Sequence, residues 1–222
     1  MIAEWQNLVF SVTPLLLKAA WTTIQISLLA IIIGSFFGGV MGIISCNKLR
    51  ICLLNRLIAT YVTIIRGTPL FVQLLIIYFA LPETLGIDLS PFSAGVLSLG
   101  INSTAYLAET MRGGINSIPS GQWEACKTLG YSTFQTLRFI ILPQAIRNVL
   151  PALTNEFVSL IKESSILMIL GVPELTKVSK DIVARELKPM EIYSMTALLY
   201  FAMTSIVSKI SQKWEGASHG NH

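Results

Sequence analysis

Two carboxylates stand out because of where they fall. Glu156 and Glu163 sit inside an apolar stretch of about Val149 to Leu170, in the company of Asn155, Ser159 and Lys162. Seven residues of helix make almost two full turns, so Glu156 and Glu163 share one face to within about 20°. Ser159 lies near that face, and Asn155 with Lys162 makes the adjacent stripe. Ionisable groups at membrane depth are expensive and are functional candidates by default. Facing a water-filled cavity, the two carboxylates could receive an ammonium group or a cationic side chain. The competing reading is a structural network in which Lys162 pairs with Glu156 or Glu163.

Composition is what puts these residues at membrane depth. The chain has 222 residues, 53% hydrophobic and 13% charged, with a mean hydropathy of +0.65. Soluble domains carry about 25% charged residues, so this is a membrane protein of one domain. The formal charge of +4 is modest, and its basic residues fall in short loops, which points to membrane topology and away from nucleic acid. Met1-Ile2-Ala3-Glu4-Trp5 lacks the basic start of a signal peptide, so the first apolar segment is expected to be retained. Cys46, Cys52 and Cys126 lack metal or disulfide spacing and read as reduced thiols. His219 and His222 lie on a polar tail, where a disordered end is the expected reading and a metal site is not. No nucleophile–base or metal constellation is apparent, so no catalytic residue is assigned.

The expected architecture is all-α with five transmembrane helices, at about 22–44, 57–81, 90–108, 149–170 and 190–210. Each approaches the roughly 20 residues that a bilayer core demands. Residues 1–20 read as a mildly amphipathic prelude, with Trp5, Lys18 and Trp21 near the interface. Gly34, Gly38 and Gly42 form a small-residue stripe on the first span, either for close helix packing or simply tolerated there. Lys48, Arg50 and Arg56 form an acid-free loop, which sets the N-terminus outside and the C-terminus inside. The basic residues of the outer segment 174–189 argue against that orientation, though acids offset most of them; the segment reads as a surface helix. Arg66 is the one charge of the second apolar segment. With Gly67-Thr68-Pro69 it marks a bend, where the guanidinium either snorkels or faces a substrate path. Asn102, Ser103 and Tyr106 on the third span could line such a path or merely pack.

Between the third and fourth spans lies a polar island, about 109–148. Pro119-Ser120-Gly121 can start a short helix with Glu124 near its first turn, and Gly130 can end it in a left-handed cap. Ser132-x-x-Gln135 has the form of a capping box and can restart the chain, until Pro143 stops or kinks it. Helix, tight elbow, helix on the aqueous side suits docking to another protein better than chemistry.

Glu124-Ala125-Cys126, Gly130 and Ile140-x-Leu142-Pro143 resemble the EAA loop of the membrane subunits of ATP-binding cassette importers. Arg66-Gly67-Thr68-Pro69-Leu70, Ala105-Tyr106-Leu107-Ala108-Glu109, Arg112-Gly113-Gly114-Ile115, Ile118-Pro119-x-Gly121-Gln122, Leu142-Pro143-Gln144-Ala145 and Asn155-Glu156-Phe157 resemble the permeases for polar amino acids, of the histidine, glutamine and arginine type. Cys126 departs from the usual second Ala of the motif. The resemblance implies a type I importer fold in a bacterial inner membrane. It implies a second permease subunit, identical or not, a cytoplasmic pair of ATPase subunits, and an extracytoplasmic solute-binding protein. Glu124, Ala125, Cys126, Gly130, Leu142 and Pro143 would then couple to the ATPase. Glu156, Glu163, Asn155, Ser159, Asn102 and Arg66 would line the substrate path. The chain has no Gly-x-x-x-x-Gly-Lys-[Ser/Thr] phosphate loop, so ATP and Mg belong to the partner subunits and this chain binds no cofactor itself. A self-sufficient secondary transporter is the alternative, but it would need inverted repeats and paired broken helices, neither of which is apparent.

Overall fold

The computed structural model describes residues 2–47 and 52–219, with side chains for 8–47 and 53–213. Lys48, Arg50 and His222, and the side chains of Trp5, Cys52 and His219, lie outside the described residues. Among those described the chain is helical throughout. Its ten α-helices are α1 (Ile2–Ile44), α2 (Cys52–Gly67), α3 (Leu70–Leu75), α4 (Leu81–Leu85), α5 (Pro91–Asn116), α6 (Ser120–Thr128), α7 (Thr133–Thr136), α8 (Leu142–Glu163), α9 (Leu175–Glu186) and α10 (Pro189–His219).

The first correction concerns α1. The prelude of residues 1–20 and the span of 22–44 are one helix of 43 residues, with Pro14 inside it. Val12, Leu16 and Ala19 are buried against α9 and α10, so tertiary packing carries the helix through its weakest stretch. Two helices, Leu8–Ile44 and Pro189–Lys213, are long and apolar enough to cross a membrane on their own. A third crossing would be broken: Leu53–Gly67 and Leu70–Leu85 meet at 105°. α5 and α8 have 26 and 22 residues, enough length for a bilayer core, but carry more polar side chains.

α1 and α5 form the most extensive helix pair, and the glycine stripe is the reason. A Cβ on Gly38 would lie 2.8 Å from the Thr104 carbonyl oxygen, and one on Gly42 would lie 2.6 Å from that of Ala108. A Cβ on Gly34 would meet Ser103 Oγ at 2.5 Å. The stripe is therefore an interface, where small residues let two backbones touch. Ile26, Ala30, Leu74, Leu99, Leu160 and Leu167 close the core around this pair, joining α1, α3, α5, α8 and the 3₁₀ turn Ser164–Leu170.

Prolines act in two ways. The break after Gly67 follows from Pro69, whose ring disfavours helical backbone at Thr68. Pro143, by contrast, does not stop its helix. A π turn, Leu137–Ile141, precedes it, and the chain stays helical from Thr133 to Glu163. Widening the turn moves the backbone where the ring would collide and an N–H is missing. The same device, a π turn at Ile76–Ala80, precedes Pro82.

The segment 174–189 is a further correction. α9 does present lysines outward, but Leu175, Ser179 and Ile182 are buried against α1 and α10. Their spacing of four and three is a helix's buried face, partly masked in the sequence by the charges between.

Candidate functional site

Five polar settings emerge, around Glu156, Gln73, Arg66 and Glu174 and at the elbow.

Glu156 is half-buried on α8 and faces the hydroxyl of Ser103 on α5. Ser103 is fully buried, and its Oγ makes no well-formed hydrogen bond. Its neighbours on the same helix behave differently: Ser98 and Thr104 donate to the carbonyls four residues back, Ala94 and Gly100, at 2.7 Å each. Ser103 is thus a hydroxyl left available beside a carboxylate, pressed from behind by the glycine at 34. Glu163 is exposed almost two turns further along α8, and Lys162 stands beside it. Asn155 is exposed and Ser159 half-buried on the same helix. The carboxylates therefore share a face, with Glu156 deep and Glu163 open.

Asn102 is buried, and its Nδ2 donates to Gln73 Oε1 at 3.1 Å. Gln73 in turn donates through Nε2 to the Ile65 carbonyl at 2.7 Å, the Thr68 carbonyl at 3.1 Å and Thr68 Oγ1 at 3.0 Å. One amide clips the break between α2 and α3, satisfying carbonyls that the broken helix leaves orphaned. Sequence reasoning missed Gln73. Its signal was a lone amide four residues after a proline in an apolar run.

Arg66 ends α2 with its guanidinium over the Tyr106 ring, 5.0 Å from the centroid. It borders a cavity of about 420 Å³ between α2 and α5, lined also by Ser45, Asn55, Thr63, Glu109 and Arg112. Arg112 donates through both Nε and Nη2 to the Glu109 carboxylate.

Glu174 is a second functional-grade side chain that the sequence did not reveal. It is fully buried and caps α9, accepting from the Thr176 and Lys177 N–H groups at 2.8 and 2.6 Å and from Tyr200 Oη at 3.0 Å. Burial pushes its carboxyl up, partly opposed by these donors. It ties α9 to α10, while Thr23 on α1 accepts from the Leu175 N–H.

The elbow is built from local bonds. Gly130 has φ +83°; its N–H donates to the Lys127 carbonyl, and the Tyr131 N–H to that of Cys126. This pair is a Schellman cap. Ser132 Oγ then accepts from the Gln135 N–H at 3.2 Å, while Gln135 Oε1 accepts from the Ser132 N–H at 2.8 Å, a complete capping box. Glu124 is the fifth residue of α6, in the second turn rather than the first, because the helix begins at Ser120. Cys126 is the one buried residue of α6, so the thiol seats the helix while Glu124 and Ala125 stay exposed. Leu142 is half-buried at the start of α8, and Pro143 follows it. Around the elbow Leu129, Tyr131, Phe134 and Phe139 are exposed, at 76, 43, 66 and 58%. Four large apolar side chains thus stay exposed on a polar connection.

Long apolar helices, a half-buried carboxylate on α8 and a doubly capped elbow fit a membrane transport subunit. The chain belongs to the family of binding-protein-dependent transport system inner membrane components, whose pattern matches residues 34–214. It is 36% identical over 213 residues to the glutamine transport system permease protein GlnP of Escherichia coli (strain K12), covering 96% of each chain. It is 40% identical over 195 residues to the probable amino-acid ABC transporter permease protein YckA of Bacillus subtilis (strain 168), covering 88% of this chain and 85% of that one. A crystal structure of an amino acid ABC transporter with histidines superposes with a TM-score of 0.86 at 38% identity, over 93% of this chain and 95% of that one. The inward-facing MetNI methionine ABC transporter shares the fold, with a TM-score of 0.80 at 18% identity, over 93% and 97%.

Proposed function

We propose that this chain is the permease subunit of an ATP-driven importer for a polar amino acid such as glutamine or arginine. It crosses the inner membrane five times, with the bent pair α2–α3 as one crossing and α5 and α8 as two more. Two such subunits enclose the path, and an extracytoplasmic binding protein delivers the cargo. Glu124, Ala125, Cys126, Gly130, Leu142 and Pro143 belong to the elbow that meets a cytoplasmic ATPase pair, where ATP and Mg are used. The observation that carries this reading is the elbow itself: a doubly capped turn that keeps Leu129, Tyr131 and Phe134 in water. Rigid caps suit it to pass a rigid-body movement into α5 and α8.

Glu156, with Ser103 beside it, receives the ammonium or cationic end of the cargo. Glu163, Asn155 and Ser159 line the approach along the same helix. The names of the relatives support an amino acid cargo, and the two carboxylates favour one with a positive group. The test is reconstitution of the permease with its ATPase and binding protein in vesicles, measuring ATPase stimulation by glutamine, arginine and histidine. Stimulation by one of them supports the reading. Uptake driven by an ion gradient without any ATPase would sink it.

A further inference from the structure

An apolar groove runs between α1, α8 and α10. Its walls include Leu28, Ile32 and Phe36 from α1, Leu150 and Phe157 from α8 and Ile210 from α10, around a volume of about 720 Å³. Thr154 Oγ1 donates to the Leu150 carbonyl at 3.1 Å and is bonded to Ser211 Oγ. These two hydroxyls are thus turned toward each other, and their bond fixes the register of α8 against α10.

One end of the groove is basic. Arg147 lies seven residues before Thr154, within about 20° of the same face and roughly 10 Å nearer the start of α8. Lys213 lies two residues beyond Ser211 on α10. Both are exposed, and neither forms an ion pair among the described residues. Helical side chains lean toward the N-terminus, so Arg147 leans to the aqueous end while Lys213 leans back toward the groove. The two cations bracket one level. In the proposed orientation that level is cytoplasmic, where a leaflet rich in anionic headgroups attracts basic side chains.

Position and charge decide between a lipid and a second copy as the occupant. Nine residues separate Arg147 from Glu156, and at about 100° per residue they point to opposite faces of α8. Under the importer reading, on which this step rests, the Glu156 face turns to the path that two subunits enclose. The Arg147 face then turns to the bilayer. A two-fold contact through this groove would also set the same basic patch of each copy against the other, like charge against like.

We infer that the groove between α1, α8 and α10 seats an acyl chain of an anionic phospholipid, whose phosphate is held by Arg147 and Lys213. The Thr154–Ser211 bond lies in the same groove, so filling it braces the contact of α8 with α10.

The test is native mass spectrometry of the permease–ATPase complex in mild detergent, titrated with phosphatidylglycerol or phosphatidylcholine. It needs neither cargo nor ATP, so its failure is told apart from failure of the importer reading, which ATPase stimulation in vesicles measures. Phosphatidylglycerol is expected to bind about tenfold or more tightly than phosphatidylcholine, one per permease. Arg147→Gln combined with Lys213→Gln should abolish that preference. Lys209 lies about 160° around α10 from Val207 and Ser211, which line the groove, so Lys209→Gln should keep it. Ile210→Trp fills the groove without touching a charge and should displace the lipid while the ATPase still co-purifies. Equal binding of the two lipids by the unaltered complex, or equal loss in Lys209→Gln, would overturn the assignment. So would a permease pair split by Ile210→Trp with its lipid count unchanged, which would give the groove to a second copy.

Discussion

The elbow at residues 120–136 and the pocket around Glu156 are held by opposite means. In the elbow every fixing bond spans five residues or fewer: Gly130 to Lys127, Tyr131 to Cys126, Ser132 to Gln135 and back. The pocket has almost no such bonds. Ser103 on α5 is placed by Gly34 on α1 and by Glu156 on α8, residues 69 and 53 positions away. Short-range bonds keep their geometry when whole helices move, whereas a pocket made from three helices changes shape whenever one of them tilts. A locally braced elbow and a site shared among three helices are the two parts that the proposed importer would need.

That contrast can be broken from either side. The largest effect is expected at the helix contact that makes the pocket. Gly38→Leu would drive a side chain into the α5 backbone, overpacking that costs about 3 kcal/mol. Thermal unfolding in detergent should drop and amino acid binding should vanish, while the elbow keeps its shape. An unchanged melting temperature would mean that the α1–α5 contact is looser than its geometry indicates.

Next comes Glu156→Gln, expected to lower uptake about tenfold or more by removing a charge-assisted contact of about 1.5–3 kcal/mol. ATPase association should persist, and equal uptake would remove Glu156 from the cargo path. Gly130→Val attacks the other region. A β-branched residue at φ +83° is strained by about 1–2 kcal/mol and misdirects Tyr131. The ratio of amino acid transported to ATP hydrolysed should fall while amino acid affinity stays the same; a fall in affinity would mean the two regions are not separable. The smallest change is Ser132→Ala, which removes one cap and costs about 1 kcal/mol. A slightly weaker ATPase affinity in pull-down titrations is the expected reading, and no change would show that the Schellman cap alone holds the turn.

The same contrast explains what could be read from residues alone. Gly130 as a left-handed cap and Ser132-x-x-Gln135 as a capping box follow from local rules, and both stand in the structure. The bend at Gly67-Thr68-Pro69 is equally local and equally present. The glycine stripe stayed ambiguous because its meaning depends on which helix lies opposite, and only α5 settles it. Gln73 and Glu174 were invisible as special residues, and Ser103 stayed ambiguous, for the same reason. Each owes its role to partners 29 to 53 positions away or to a capping bond made at full burial. At Pro143 the local rules allow a stop or a kink; the stop does not occur, because a π turn precedes the ring.

The clip at Gln73 carries a last consequence. It holds α3 at a fixed angle to α2, so the pair behaves as a crank rather than as two loosely jointed rods. The arm from Leu70 to Leu85 is 16 residues, roughly 24 Å at helical rise. Turning α2 by about 10° on its own axis would swing the far end of that arm by roughly 4 Å, since arc length scales with the radius. A rotation too small to notice at the axis thus becomes a displacement wider than a water molecule at the tip.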